Sequence, residues 1–236
     1  MTNALFPMLQ MSDSQFPSGA FSHSFGIETY ISNGIVHDSA SFQHVLELFL
    51  ANQLVYTDGL ACRFAYEWLE SGNVEKLWEL DQTLYALGMA RETREGNRRI
   101  GDRLVKVVST LYPSSIFDQY LIELKRKNAY GHGALVFAIV SHQLGIDVET
   151  AVSCYGFATA SSLVQNAVRG VPLGQTDGQK ILVNIQPLLT NSVEQMMMLD
   201  ESDFGVGAPG LEIAQIQHET INVSSFMSSR KDDENE

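Results

Sequence analysis

Cysteine is scarce in this sequence, and the two cysteines present cannot build a disulfide or zinc framework. Cys62 and Cys154 are far apart, and neither belongs to a C-x-x-C pair. A structural zinc site or a disulfide-stabilised fold needs more cysteines at closer spacing. The six histidines show no H-x-H or H-E-x-x-H grouping either. The sequence therefore predicts no metal ligands and no cofactor, and both cysteines are expected to be small buried residues.

Basic residues are also few, because 15 Lys and Arg stand against 28 Asp and Glu and give a net charge of −13. Such a chain repels polyphosphates and anionic lipid and leaves no basic patch of the kind that nucleic-acid binding needs. The longest apolar run, residues 134–140, is far shorter than the roughly 20 residues that span a bilayer. The first residues lack the basic region of a secretion signal. We expect a cytoplasmic protein that binds neither nucleic acid nor membranes.

Strand-like alternation is scarce, and helical periodicity dominates. One face of a predicted helix carries Leu46, Phe49, Leu50 and Leu54, and a second helix, ending at Pro113, carries Ile100, Leu104, Val107, Val108 and Leu111. Glycine, proline or small polar residues punctuate the joints. The sequence predicts an all-α, single-domain bundle of about ten helices over residues 1–220. The polar end, residues 221–236, is expected to be a flexible tail. Further helices are predicted at His23–Ser32, Gly59–Glu70, Val74–Leu84, Ser115–Lys127, Gly133–Leu144, Val148–Ala167, Gln175–Leu188 and Leu211–His218.

A block near the N-terminus, residues 13–30, combines turn formers, hydroxyls, a histidine and a carboxylate. Pro17 and Gly19 favour a turn. Ser22 is then placed to cap a helix that carries Glu28. The segment around Ser22 and His23 lacks the first glycine of a hydrolase G-x-S-x-G motif, and a proline turn precedes it where that motif requires a strand.

Two further blocks stand later in the chain. Residues 162–182 contain Arg169 and the glycine-rich stretch Gly170–Lys180, which lacks the spacing of a phosphate-binding loop. Asp177 or Thr176 is expected to cap the following helix. Residues 208–220 begin with Ala208-Pro209 and end with His218-Glu219-Thr220.

These three blocks, in this order over most of the chain, resemble the UreF family of urease accessory proteins. The resemblance implies an all-α, non-catalytic adaptor needed for nickel insertion into urease. It implies that the chain bridges UreD (UreH in some systems) and the GTPase UreG on the urease apoprotein, and that it modulates the GTPase. A two-fold homodimer is also implied.

The partner-binding residues expected from the blocks and the resemblance are Ser22, His23, Glu28, Arg169, Gln175, Asp177, Gly178, His218, Glu219 and Phe226. The first block would be a recognition surface, and the corner from Arg169 to Gly178 would contact or position UreG. The segment 220–230, with Phe226 as an apolar anchor, would fold onto UreD/UreH. The chain departs from the family where Ile221, Asn222, Ser224 and Ser225 replace the usual tail residues, and where Val206-Gly207 precede Pro209.

Two other classes of function stay open from the residues alone. A serine hydrolase would use Asp13, His23 and either Ser22 or Ser24. A metal-carrying chaperone would use His132, His218 and Cys154. Esterase assays on serine variants and nickel binding by the isolated chain distinguish these two alternatives from an adaptor.

Overall fold

The computed structural model describes residues 4–13, 16, 27–88, 91–170, 173–206 and 213. Within these ranges every regular element is helical, which confirms the all-α prediction. The eleven α-helices described there are α1 (Leu5–Ser12), α2 (Ile27–Ser32), α3 (Ser39–Phe49), α4 (Leu60–Glu70), α5 (Glu75–Leu87), α6 (Arg91–Leu111), α7 (Ser115–Arg126), α8 (Gly133–Gln143), α9 (Val148–Gly170), α10 (Gln175–Asn184) and α11 (Gln186–Met198). A π-helix occupies Leu50–Gly59, and a 3₁₀ turn occupies Glu201–Asp203. No helix among the described residues is both long and apolar enough to cross a membrane.

Local sequence signals account for several helix starts. Asp38 accepts a hydrogen bond from the Ser41 backbone N–H at 2.8 Å and begins α3 in a capping box. Ser114, after Pro113, caps α7 through the Phe117 N–H. These side chains satisfy backbone donors that have no partner inside the helix. The breaks between the predicted helices near residues 72, 114 and 145 are present, since no helix covers 71–74, 112–114 or 144–147.

The π-helix was not predicted, because its residues have the apolar periodicity of an ordinary helix. Leu50 and Leu54 are buried as expected, and the chain runs without a break from α3 through the π-helix into α4. π-helical turns are rare and frequently lie at functional sites. Asp58 lies one residue before the end of this segment.

Helix α9 lies at the centre of the helix packing. It packs against α8, α10, α11 and the π-helix. A Cβ atom on Gly156 would lie only 2.9 Å from Leu54 Cδ2, and Ala160 is fully buried. Small side chains at these positions let the neighbouring helices approach α9 closely.

The single helix predicted at Gln175–Leu188 is wrong. The chain turns at Ile185, and α11 begins at Gln186 with Pro187 in its first turn and continues to Met198. Proline suits a first helical turn because the N–H it lacks would be unpaired there. The predicted cap on α10 is also wrong, since Gly174 occupies the N-cap position and no side chain caps the helix. The helix predicted from Leu211 lies outside the described residues except at Ile213.

Candidate functional site

The corner between α9 and α10 carries four of the residues expected to bind a partner. Arg169 is exposed in the last turn of α9, and its guanidinium donates a hydrogen bond to the Asn166 side chain. Gln175 is exposed at the start of α10. Asp177, in the first turn of α10, pairs with Lys180 at 3.0 Å. The corner therefore presents charged and amide groups to solvent from two packed helices.

Gly178 has a different place in this corner. It is buried where α10 crosses α9. A Cβ atom there would lie 3.0 Å from Val164 Cγ1 and 3.2 Å from Val168 Cγ2. Gly178 acts by holding α10 close to α9, and so it fixes the position of Asp177 without itself reaching the surface.

The other sequence-predicted residues are placed only in part. Glu28 is the second residue of α2, and α2 packs against α9. Ser22, Ser24 and His23, and with them the hydrolase alternative, lie outside the described residues. His218, Glu219 and Phe226 lie outside them as well.

A polar cluster that the sequence did not reveal joins the π-helix, α8 and α9. The Tyr155 hydroxyl donates to Asp58 Oδ2 at 2.9 Å. His132 caps α8, with Nδ1 accepting the Ala134 N–H at 3.3 Å. Because Nδ1 is the acceptor, Nε2 carries the proton of the neutral ring, and it lies 4.0 Å from Asp58 Oδ1. Burial raises the pKa of Tyr155 well above its ordinary value, and the Asp58 carboxylate raises it further. The phenol therefore stays a hydrogen-bond donor.

This cluster faces a cavity of about 150 Å³ whose walls are mainly apolar. Its apolar walls include Met11, Phe16, Phe49, Ile100, Leu104 and Phe137, and Thr159 and Ser162 add hydroxyl groups. The cluster therefore adds a carboxylate, a phenol and an imidazole to the mainly apolar walls of this cavity.

Asp81 holds the loop that presents His132. This carboxylate is fully buried on α5 and accepts the backbone N–H groups of Tyr130, Gly131 and His132. The loop also touches α6 backbone to backbone, since a Cβ atom on Gly101 would lie 2.3 Å from the Gly131 oxygen. A single acidic residue within a helix gives no sequence pattern that could have revealed these contacts.

The residues of the metal-chaperone alternative are not grouped by the described structure. His132 is the N-cap of α8, Cys154 is partly buried on α9, and His218 lies outside the description. Among the described residues, no three His, Cys, Asp or Glu side chains are close enough to hold a metal ion. The expectation of two buried cysteines is confirmed for Cys62 but not for Cys154, which is only partly buried.

Comparison with known proteins gives one consistent family. Residues 36–186 match the family profile described as UreF. The chain is 51% identical to a urease accessory protein UreF from Bacillus sp. (strain TB-90), over 96% of this chain and 100% of that protein. It is 46% identical to the UreF protein of Lachnoclostridium phytofermentans, over 97% of this chain and 100% of that protein. It is 50% identical to the UreF protein of Geobacillus kaustophilus, over 94% of this chain and 96% of that protein. The chain therefore belongs to the UreF family of urease accessory proteins, which are not enzymes.

Proposed function

We propose that this protein is the adaptor that supports nickel insertion into the urease apoprotein. It bridges UreD/UreH and the GTPase UreG and modulates the GTPase cycle. The observation that carries the proposal is the match to urease accessory proteins UreF at about half identity over nearly the full length of both chains. Nickel is the cargo of this process, and the protein acts by holding its partners together in the cytoplasm.

The α9–α10 corner is proposed as the contact with UreG. Arg169 and Gln175 are exposed there, and Asp177 is accessible beside Lys180. Arginine makes bidentate hydrogen bonds to carboxylates, which gives such a contact direction as well as strength. The buried Gly178 keeps the two helices at a fixed separation, so the corner meets a partner already ordered.

The remaining contacts are assigned by the three sequence blocks. The first block, with Ser22, His23 and Glu28, is proposed as a recognition surface. The segment 220–230 contains Phe226 and directly follows His218 and Glu219. It is proposed to belong to a flexible tail, residues 221–236, that folds onto UreD/UreH. A two-fold homodimer of the domain 1–220 places two copies of each surface in the complex.

Restoration of urease activity tests the function. Cells that express urease with every accessory protein except UreF should gain urease activity, and nickel in the purified urease, when this chain is supplied. A Glu28→Ala variant should restore less activity with a nearly unchanged melting temperature, because an interface residue affects binding more than folding. The control is Glu75→Ala, since Glu75 is exposed in the first turn of α5. Activity no higher than without the chain would refute the proposal.

A further inference from the structure

Helix α6 is strongly basic, although the chain as a whole carries a net negative charge. Six of the 15 Lys and Arg residues fall between positions 91 and 106 in α6, whereas the whole helix contains only three acids. Everywhere else, nine cations stand against 25 acids. The overall composition predicted no basic patch, and the structure shows that charge is distributed unevenly over the molecule.

Five of these cations lie on one face of α6. At about 3.6 residues per turn, they share the half of the helix turned away from the core. They are all exposed: Arg91, Arg98, Arg99, Arg103 and Lys106. The sixth, Arg94, faces inward and donates to the Gly88 carbonyl at 3.0 Å, with its guanidinium over the Tyr85 ring.

Part of this basic face is already neutralised, and part is not. Arg98 pairs with Glu95 at 3.1 Å, and Lys106 pairs with Asp102 at 2.7 Å. In contrast, Arg91, Arg99 and Arg103 make no hydrogen bond or ion pair with any side chain that the structure describes. Hydrogen bonding by Arg98 is the main cause that lowers the pKa of Glu95, and Arg99 adds only a weak attraction there. Among the described residues, these three guanidinium groups are thus left without an anionic partner.

The helix that carries these groups is held rigidly from behind. Leu104, Val105 and Val108 are buried on its inner face, and Gly101 touches the Gly131 backbone. Because the backbone is fixed, a partner would have to order only the side chains of the basic face. Preorganisation of this kind lowers the cost of binding.

We propose that this face of α6 docks onto an acidic surface of a partner protein. Guanidinium groups pair with carboxylates in bidentate geometry. A protein partner fits better than nucleic acid, because Glu95 and Asp102 lie among the cations and would clash with the fixed spacing of phosphates along a duplex, whereas carboxylates on flexible side chains can reach the arginines between these two acids.

Binding of fluorescein-labelled poly-L-glutamate to the full chain, followed by fluorescence anisotropy at about 0.1 M salt, tests the proposal. The variant is Arg99→Gln with Arg103→Gln. The control is Lys125→Gln with Lys127→Gln, which removes the same charge from exposed positions at the end of α7. The arginine variant should bind about fivefold more weakly, as expected for two exposed ion pairs. The lysine variant should bind like wild type. Replacing both arginines by lysine should recover only part of the affinity, because an ammonium group keeps the charge but cannot make bidentate hydrogen bonds.

Three results would overturn the proposal. One is equal weakening by the arginine and lysine variants, because binding would then follow net charge alone. Another is the absence of poly-L-glutamate binding by the wild type at this salt concentration. The third is tighter binding of a DNA duplex than of poly-L-glutamate, which would assign the face to nucleic acid. Circular dichroism of both double variants shows whether the fold is retained, and Arg91→Gln provides a single-charge variant at the exposed start of α6.

Discussion

At the residue scale, the Asp81 carboxylate is buried on α5 and accepts three backbone N–H groups from residues 130–132. Asp81→Asn replaces one carboxylate oxygen with an amide that cannot accept a hydrogen bond. We expect the free energy of unfolding to fall by about 3 kcal/mol, because charged hydrogen bonds are lost and buried donors stay unpaired. Urea denaturation measures this change. Asp118→Asn, at an exposed position of α7, should change stability little, and equal losses in both variants would contradict the role of Asp81.

Gly101 provides a second prediction at this scale. Gly101→Ala places a methyl group 2.3 Å from the Gly131 carbonyl oxygen, and neither backbone can move without separating α6 from the loop. We expect a loss of about 2 kcal/mol, despite the better helix propensity of alanine. The matched control is Gly133→Ala, whose Cβ would meet Tyr155 at an ordinary 3.7 Å. Thermal melting of both variants measures the difference. Similar melting temperatures would show that the close approach of Gly101 to Gly131 is not needed for stability.

At the element scale, the start of α9 depends on Asp147. Its carboxylate accepts the Thr150 backbone N–H at 2.8 Å, and this hydrogen bond is the main cause that lowers the pKa of Asp147 below its ordinary 3.8. Asp147→Ala should cost about 1 kcal/mol near neutral pH, as other N-caps do. Because the folded-state pKa is lowered, the contribution is complete above the ordinary value and disappears as the pH falls through the folded one.

The stability difference between wild type and Asp147→Ala should therefore shrink below about pH 4. Denaturant midpoints at several pH values measure it. Asp147→Asn is the control, since asparagine caps a helix but does not titrate. A difference between wild type and the alanine variant that stays constant at acid pH would contradict the assignment.

The sequence predicted elements better than it predicted the contacts between them. Apolar periodicity located α6, α7 and α9, because it reports the face that each helix buries. It missed the π-helix at Leu50–Gly59, since periodicity does not distinguish hydrogen bonds to i−4 from those to i−5. It also joined α10 to α11, although Pro187 marked a helix start. In the candidate site, the α9–α10 corner was chosen from the sequence as a partner contact, whereas the burial of Gly178 between the two helices was not predicted.

The Asp58–Tyr155–His132 cluster was not anticipated, and there is a physical reason. Its residues are 97 positions apart at the extremes, and each is an ordinary residue in its own helix or loop. Only the packing of the π-helix against α9 brings Asp58 to Tyr155. A sequence pattern records spacing along one chain, and it carries no signal for such a contact.

At the scale of the whole molecule, the proposed adaptor role requires surfaces that can be altered separately from the fold. Arg169→Ala combined with Asp177→Ala should reduce capture of UreG several-fold. The melting temperature should change only slightly, because both side chains lie at the surface. Lys125→Ala combined with Asp118→Ala on α7 removes the same charges elsewhere and should not reduce capture. Normal UreG capture by the folded corner variant would place the GTPase contact on another surface.

Assembly with the partners tests the central claim most directly. The purified chain should be mixed with UreD/UreH and UreG, and the mixture should be separated by size-exclusion chromatography with light scattering. We expect one complex that contains all three proteins and two copies of this chain, and we expect UreD/UreH and UreG not to elute together when the chain is omitted. Separate elution of the three proteins, or a UreD/UreH–UreG complex that forms equally well without the chain, would contradict the adaptor role.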